Sequence, residues 1–225
     1  MDFSLQKKWL GLTPYQEGLK QQERALEYVK SDHEGVVLGL EHPNVITLGV
    51  RGREDLDLIQ TPENFEIVKI RRGGQATIHN PGQLVIYPVL PLREWGLGAR
   101  DYVCLLTKAT KTFLKGLGVE SFEKGEPGLY TDSGKIVAFG VQISRGVSLH
   151  GLAINVYNEL SPFKNIQVCG AQGQAMDSLR NHSCQAPLHE LFDEWFSILN
   201  YSLLQTTSRS AQCTDDVASE HFLRT

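Results

Sequence analysis

The stretch Arg71-Arg72-Gly73-Gly74-Gln75-Ala76-Thr77-Ile78-His79-Asn80-Pro81-Gly82-Gln83 sets three glycines, a proline and a histidine between two apolar, strand-like runs. Glycine opens backbone conformations closed to other residues and lets a second group come close to the main chain. A segment this rich in glycine and flanked by strands is expected to be a binding surface made of backbone rather than a plain turn.

The surrounding pattern frames that segment. Thr13-Pro14-Tyr15-Gln16 reads as a helix start, with Thr13 as cap, Pro14 in the first turn and Gln16 closing a capping box. Tyr15, Leu19, Leu26 and Val29 then share one helical face through Lys30. Val36 to Leu40, Val45 to Val50 and Phe65 to Ile70 read as strands, with a turn at His42-Pro43-Asn44. Leu84 to Leu90 is another strand, in which Pro88 points to an edge or a bulge. Tyr102, Leu106, Ala109, Phe113 and Leu117 mark a second amphipathic helix that stops at Gly116 and Gly118. Gly128 to Thr131, Lys135 to Ile143 and Val147 to Val156 read as an antiparallel meander with tight turns. Leu188, Leu191, Phe192, Trp195, Phe196 and Leu199 build a third helix. No repeat or linker divides the chain. One domain over residues 1–204 with a polar tail over 205–225 is expected, in an α+β arrangement with a mixed or antiparallel sheet.

Bulk properties narrow the function classes. A chain of 225 residues can bury one generous core. The formal net charge of −4 gives no global reason to expect nucleic acid as a partner. Arg51, Arg53, Lys69, Arg71 and Arg72 form a local basic cluster, either a solvated rim or a dock for an acidic protein. No window approaches the ~20 apolar residues of a membrane span. Met1 to Leu12 lacks the apolar core of a secretory signal, which makes a cytoplasmic location the default. The four cysteines, Cys104, Cys169, Cys184 and Cys213, have no C-x-x-C spacing, so neither a zinc site nor a disulfide framework is favoured. His182-Ser183-Cys184 is half a metal site at most, with no second pair.

Cys169 follows an irregular segment and precedes Gly170, so it is placed on a loop. Buried cysteines ordinarily act as small hydrophobes. A thiol at its unperturbed pKa is mostly protonated at neutral pH and needs a nearby base or cation to become a good nucleophile. Lys135 opens a strand directly after a glycine turn. Such a lysine is ordinarily solvated, but one buried beside Cys169 would favour the thiolate. His79, in the glycine segment, and His150, inside an apolar strand run, compete for the role of base, and a Cys–His pair stays open. Ala138-Phe139-Gly140 and Gly151-Leu152-Ala153 mix apolar and small residues. That composition suits ordinary sheet core, and it also suits a narrow greasy slot for an acyl chain.

At this point the residues resemble a known family, the lipoyl(octanoyl) transferases. The run from Arg72 to Pro88 resembles the family signature, as do Glu41-His42-Pro43 with Thr47-Leu48-Gly49, Lys135 to Val141, His150 to Val156, and Cys169-Gly170. The five segments stand in the family's order, between about Glu41 and Leu179. The resemblance implies the single-domain fold of biotin and lipoate protein ligases, a mixed sheet flanked by helices. It implies transfer of an octanoyl group from octanoyl-acyl carrier protein, through a cysteine thioester, to a lysine of a lipoyl domain. The acceptors would be the lipoyl domains of 2-oxoacid dehydrogenase E2 subunits and the glycine cleavage H protein. The acyl-thioester cysteine corresponds to Cys169 and the acid/base lysine to Lys135. The substrate-binding residues correspond to Arg72, Gly73, Gly74, Gln75, Ala76, Thr77, Ile78 and His79, to Ala138, Phe139 and Gly140, and to His150, Gly151, Leu152 and Ala153. Ile78 stands where the family usually has an aromatic residue, Asn80 where glycine is common, and Val168 where proline is common. No metal, cofactor or membrane is implied, and a monomer is expected. The chief alternative is an ATP-dependent lipoate or biotin ligase on the same fold, although no G-x-x-x-x-G-K-[ST] loop is present.

Overall fold

The computed structural model describes residues 3–59, 63–166 and 174–206. Its strands form two sheets. The larger is built from β1 (Leu5–Leu12), β2 (Gly35–Glu41), β6 (Gln83–Val89), β7 (Phe122–Lys124), β8 (Glu126–Thr131), β9 (Gly134–Ser144) and β10 (Val147–Asn155). Its order is β1-β2-β6-β10-β9-β8-β7. Only β1 and β2 run parallel; the other neighbours are antiparallel. The smaller sheet orders β4 (Glu66–Lys69), β3 (Val45–Leu48) and β5 (Ala76–His79), with β3 parallel to β4 and antiparallel to β5.

The large sheet is covered on both faces, and the period-two alternation of its strands decides what each face meets. Val37, Leu84, Ile86, Leu152 and Ile154 point to α3 (Ala99–Gly116) and α4 (Leu188–Thr206), where Tyr102, Leu106, Phe113, Phe192, Trp195 and Leu199 complete the main core. The intervening residues Leu38, Leu40, Val85, Tyr87 and Ala153 point to α1 (Tyr15–Asp32), against Ala25 and Val29. The small sheet packs Ile46, Leu48, Ala76 and Ile78 on Phe163 and Ile166.

The helix pattern and the meander match the sequence expectations; several details differ. Pro14 rather than Thr13 occupies the α1 N-cap position, with no side-chain cap. The Thr13 hydroxyl instead donates back to the carbonyls of Leu10 and Gly11, closing the end of β1. β1 and β7 lie at the sheet edges, and β5 lies inside the glycine-rich segment, dividing it into two loops. Helix α4 continues through Thr206, two residues beyond the expected domain boundary at 204.

Pro88 is the clearest departure, since β6 is central rather than an edge. Leu152 pairs with Ile86 and the Ser148 amide donates to the Leu90 carbonyl at 3.0 Å, which sets Pro88 opposite His150. Pro88 has no N–H to give to that pair. His150 takes a left-handed conformation, φ 55°, and its amide turns to the Gln22 side-chain oxygen on α1 at 2.7 Å. The Pro88 carbonyl is met by the Ser148 hydroxyl at 2.7 Å and the Tyr102 hydroxyl at 3.3 Å. Next to this gap the strands close tightly: a Cβ on Gly151 would stand 2.2 Å from the Ile86 carbonyl oxygen. The two groups left over from that pair, the His150 amide and the Pro88 carbonyl, are thus taken up by side chains from two helices and β10 itself. Gln22→Ala leaves the buried His150 amide without its acceptor and is expected to cost about 1–3 kcal/mol. Urea denaturation measures it, and an unchanged midpoint contradicts the account.

Candidate functional site

A cleft of ≈ 630 Å³, its open mouth included, lies where the two sheets meet. Each wall comes from a different element. Arg72, Gly74, Gln75, Ala76, Thr77 and His79 come from the glycine-rich segment and β5. Val85 and Tyr87 come from β6, Pro127 from β8, and Lys135, Ala138, Phe139 and Gly140 from β9. His150, Gly151, Leu152 and Ala153 come from β10, Tyr15 from α1, and Arg51 from the segment after β3. Fourteen of the expected site residues therefore line one space. Gly73 and Ile78 do not. The Gly73 amide donates to the Val141 carbonyl at 3.1 Å, and Ile78 packs under the small sheet. Val168, Cys169 and Gly170 lie outside the described residues, as does Cys213.

Lys135 is 1% exposed. Its side chain can run inward because Gly128, in the neighbouring strand, has no Cβ. One placed there would stand 2.4 Å from Lys135 Cε and 3.1 Å from Nζ. Lys135 Nζ lies 5.5 Å from the centre of the Tyr130 ring, over the ring face. The lysine main chain is held on both sides: its amide donates to the Ala175 carbonyl at 2.9 Å, and its carbonyl accepts from the Asp177 amide at 3.0 Å.

Arg72 closes the opposite wall. Its guanidinium donates to Thr47 Oγ1 and to the carbonyls of Thr47, Gly73 and Gln75 at 2.7–3.2 Å. The rest of the local basic cluster is largely committed on the surface. Arg53 pairs with Asp55 at 2.9 Å and Lys69 with Glu54 at 3.1 Å. Arg51 stays exposed at the mouth.

Five rings form one contiguous wall. Tyr15 lies 4.9 Å from His42 and stacks on His79 at 6.1 Å. His42 contacts His79 at 5.6 Å and Tyr87 at 6.0 Å, and Tyr87 meets His150 edge to face at 6.2 Å. His42 Nδ1 must donate to the Thr13 carbonyl at 2.7 Å, so Nε2 accepts from the Tyr87 hydroxyl at 2.8 Å. His79 Nδ1 donates to Gln83 Oε1 at 2.7 Å, which leaves the lone pair on Nε2. Gln83 Nε2 passes the chain to Asn155 Oδ1 at 2.9 Å. Burial pushes His42 down to about 4, against a small opposing effect of its bond to Thr13. Burial, aided by His42, pushes His79 to about 3, and burial with the nearby Arg72 pushes His150 to about 4. All three are neutral at physiological pH.

Sequence reasoning missed Tyr15, His42, Gln83 and Tyr87 as parts of this wall. Their signals were absorbed by other readings: a helix face, a turn and a core strand. Asn80 binds the Glu159 carbonyl at 2.8 Å and accepts from Asn158 at 3.1 Å, so it ties two loops together rather than lining the cleft. Cys184 is half-buried beside Tyr157, with the sulfur 4.0 Å from the hydroxyl. Among the described residues no group of three His, Cys, Asp or Glu side chains can hold a metal ion, and no helix is long and apolar enough to cross a membrane.

Comparison with known proteins places this geometry. Residues 14–197 match the family model described as the lipoyl protein ligase A/B catalytic domain. An octanoyltransferase of Halorhodospira halophila is 38% identical over 187 residues, covering 82% of this chain and 84% of the relative. An octanoyltransferase of Pseudomonas putida is 38% identical over 192 residues, covering 85% and 88%. Among solved structures, a putative lipoate protein ligase from T. acidophilum with bound lipoic acid superposes with a TM-score of 0.68 at 12% identity, covering 91% of this chain and 87% of that one. At that identity the likeness is one of fold.

The ring wall makes stability depend on pH. Each imidazole titrates well below its ordinary value of 6.5 in the folded chain. The unfolded chain therefore binds the extra protons first, and stability present above about pH 6.5 is lost as pH falls toward the folded values. Going from pH 7 to 5 is expected to cost on the order of 1–2 kcal/mol for each histidine. Urea midpoints at pH 7, 6 and 5 test this, and His79→Gln should flatten the slope. Equal midpoints at pH 7 and 5 count against it.

Proposed function

The chain belongs to the lipoyl protein ligase A/B catalytic-domain family and groups within it with octanoyltransferases, and we propose that it moves an octanoyl group from octanoyl-acyl carrier protein, through a thioester on Cys169, to a specific lysine of lipoyl domains. The observation that carries the reading is Lys135: a fully buried amine at a cleft whose lining includes the small residues Gly74, Ala138, Gly140 and Gly151 and the apolar Val85, Phe139 and Leu152. Such a cleft suits a hydrocarbon chain and keeps water from the acyl bond it presents. Cys169 stands six positions before Ala175, whose carbonyl is bonded to the Lys135 amide, so the covalent chain itself supports pairing the two groups.

The chemistry balances without ATP. Lys135 takes the Cys169 proton as the sulfur attacks the donor's thioester carbon. The donor C–S bond breaks, and the proton passes to the departing carrier thiolate. In the second half Lys135 takes a proton from the incoming lysine amine as its nitrogen attacks the acyl-enzyme. The amide forms and the Cys169 thiol is released with that proton. Exchange of thioesters is close to neutral, and amide formation from a thioester runs downhill. The acyl oxygen develops negative charge in both halves, and backbone N–H groups of the thiol loop or the glycine-rich segment are the natural donors to it. Arg72 to His79, Ala138 to Gly140 and His150 to Ala153 hold the acyl chain. The acceptors are the lipoyl domains of 2-oxoacid dehydrogenase E2 subunits and the H protein, and the enzyme works as a cytoplasmic monomer. An ATP-dependent ligase has the same fold but needs no acyl-cysteine. The 38% identity to octanoyltransferases over more than four-fifths of the chain favours the transferase.

Mixing the protein with octanoyl-acyl carrier protein is expected to add one octanoyl group by intact-mass measurement, lost in Cys169→Ala. Pyrophosphate exchange with ATP and free octanoate or lipoate separates the alternatives: clear exchange sinks the transferase reading. Lys135→Ala should slow acylation sharply while the protein stays folded. Gly128→Ala forces the Lys135 side chain aside, and a displacement near 1 Å is expected to slow acylation roughly 100-fold. A wild-type rate in Gly128→Ala contradicts the proposed placement of the amine.

A further inference from the structure

Lys135 can serve the reaction only if its backbone is held in place, and one carboxylate outside the cleft is built to hold it. Residues 174–177 run beside the start of β9, with Met176 bridged in parallel to Lys135. Both Lys135 main-chain groups bond to this segment, to Ala175 and to Asp177. The Asp177 side chain is itself 0% exposed. Burial alone would raise its pKa, but its hydrogen bonds outweigh that and hold it below the ordinary carboxylate range. Oδ2 accepts from the Thr131 hydroxyl at 2.5 Å and from His182 Nε2 at 2.7 Å. Oδ1 accepts from Asn181 Nδ2 at 2.7 Å and the Ser178 amide at 2.8 Å. Thr131 ends β8, the strand that carries Gly128, and Asn181 and His182 belong to the 3₁₀ turn Leu179–His182. Asn155 Nδ2 adds a link from β10, to the Asp177 carbonyl at 3.1 Å.

We propose that Asp177 is a positioning residue for acyl transfer: its carboxylate pins residues 174–177 to the end of β8, and so fixes the Lys135 main chain and the amine it carries into the cleft. The inference rests on the Cys169–Lys135 reading above. A carboxylate with both oxygens fully bonded in place is a rigid joint, and the energy of four charge-assisted bonds is large against the thermal softness of a loop. Asp177 does not line the cleft. It works through the Lys135 backbone, whose carbonyl accepts from the Asp177 amide.

The test uses the full-length protein with octanoyl-acyl carrier protein and a lipoyl domain, rates being counted per octanoyl-accepting molecule. Asp177→Asn turns an amide N–H₂ toward groups that donate, and kcat is expected to fall at least tenfold with KM for both substrates within twofold. Thr131→Val removes one donor and should lower kcat several-fold, whereas Thr131→Ser, which keeps the hydroxyl, should retain most of the rate. His182→Gln, which can still donate, should likewise outperform His182→Ala. A purely structural role lowers melting temperature and the fraction that accepts acyl, but leaves kcat per competent molecule and the Ser/Val contrast flat, and that result overturns the proposal. If Asp177→Asn does not fold, the Thr131 pair decides alone. A wild-type protein that never gains an octanoyl group defeats the transferase reading itself and removes the proposal with it. Normal acylation of the wild type with full kcat in the Asp177 and Thr131 variants defeats only the positioning role.

Discussion

The guanidinium of Arg72 is the joint on which the cleft depends. The large and small sheets have separate cores, and between them lies the space that a ligand would fill. Arg72 spans that junction with a planar fork of donors, satisfied by Thr47 on the small sheet and by the carbonyls of its own loop. The next residue, Gly73, bonds to Val141 on the large sheet. A loop held at both ends by polar bonds can present main chain to a cavity without collapsing into it. A lysine in place of the arginine would keep the charge and lose the fork, and with it the simultaneous grip on several oxygens.

The rest of the site follows a similar logic, in which each irregularity is repaired by a side chain from elsewhere. Pro88 breaks one hydrogen-bonded pair of the central sheet, and Gln22 from α1 accepts the His150 amide that this pair no longer takes. Buried imidazoles are expensive when charged, so all three are kept neutral, and Thr13 and Gln83 fix the tautomers of His42 and His79. The polar chain His79–Gln83–Asn155 then reaches the carbonyls of Asp177 and Lys135, so the ring wall and the buried amine share one hydrogen-bonded frame.

Much of this was legible in the amino-acid order. The helical faces around Tyr102 and Trp195, the meander from Gly128 onward and the glycine-rich segment all carry short-range signals, periodicity or turn chemistry, and the structure keeps them. What stayed hidden depends on distant partners. Nothing around Lys135 distinguishes a solvated strand end from an inward amine, because the space it fills is vacated by Gly128 on another strand. Gln6-Lys7-Lys8 has no strand alternation, yet β1 forms because β2 offers a free edge. The ring wall draws Tyr15, His42, His79, Tyr87 and His150 from five separate places in the chain, and each looks ordinary where it stands. Pro88 misled for a related reason: the rule against proline in a central strand assumes that the groups around it stay unpaired, and here distant side chains take up the His150 amide and the Pro88 carbonyl.

The parallel pairing of β1 with β2 forces α1 to cross the sheet as the connection between them. The opening strand therefore dictates where the first turn of that helix lands, and this turn delivers Tyr15 onto His42 and His79. A change in the length or register of β1 would therefore move the Tyr15 ring, which belongs to the inner surface of the cleft although the strand that places it does not.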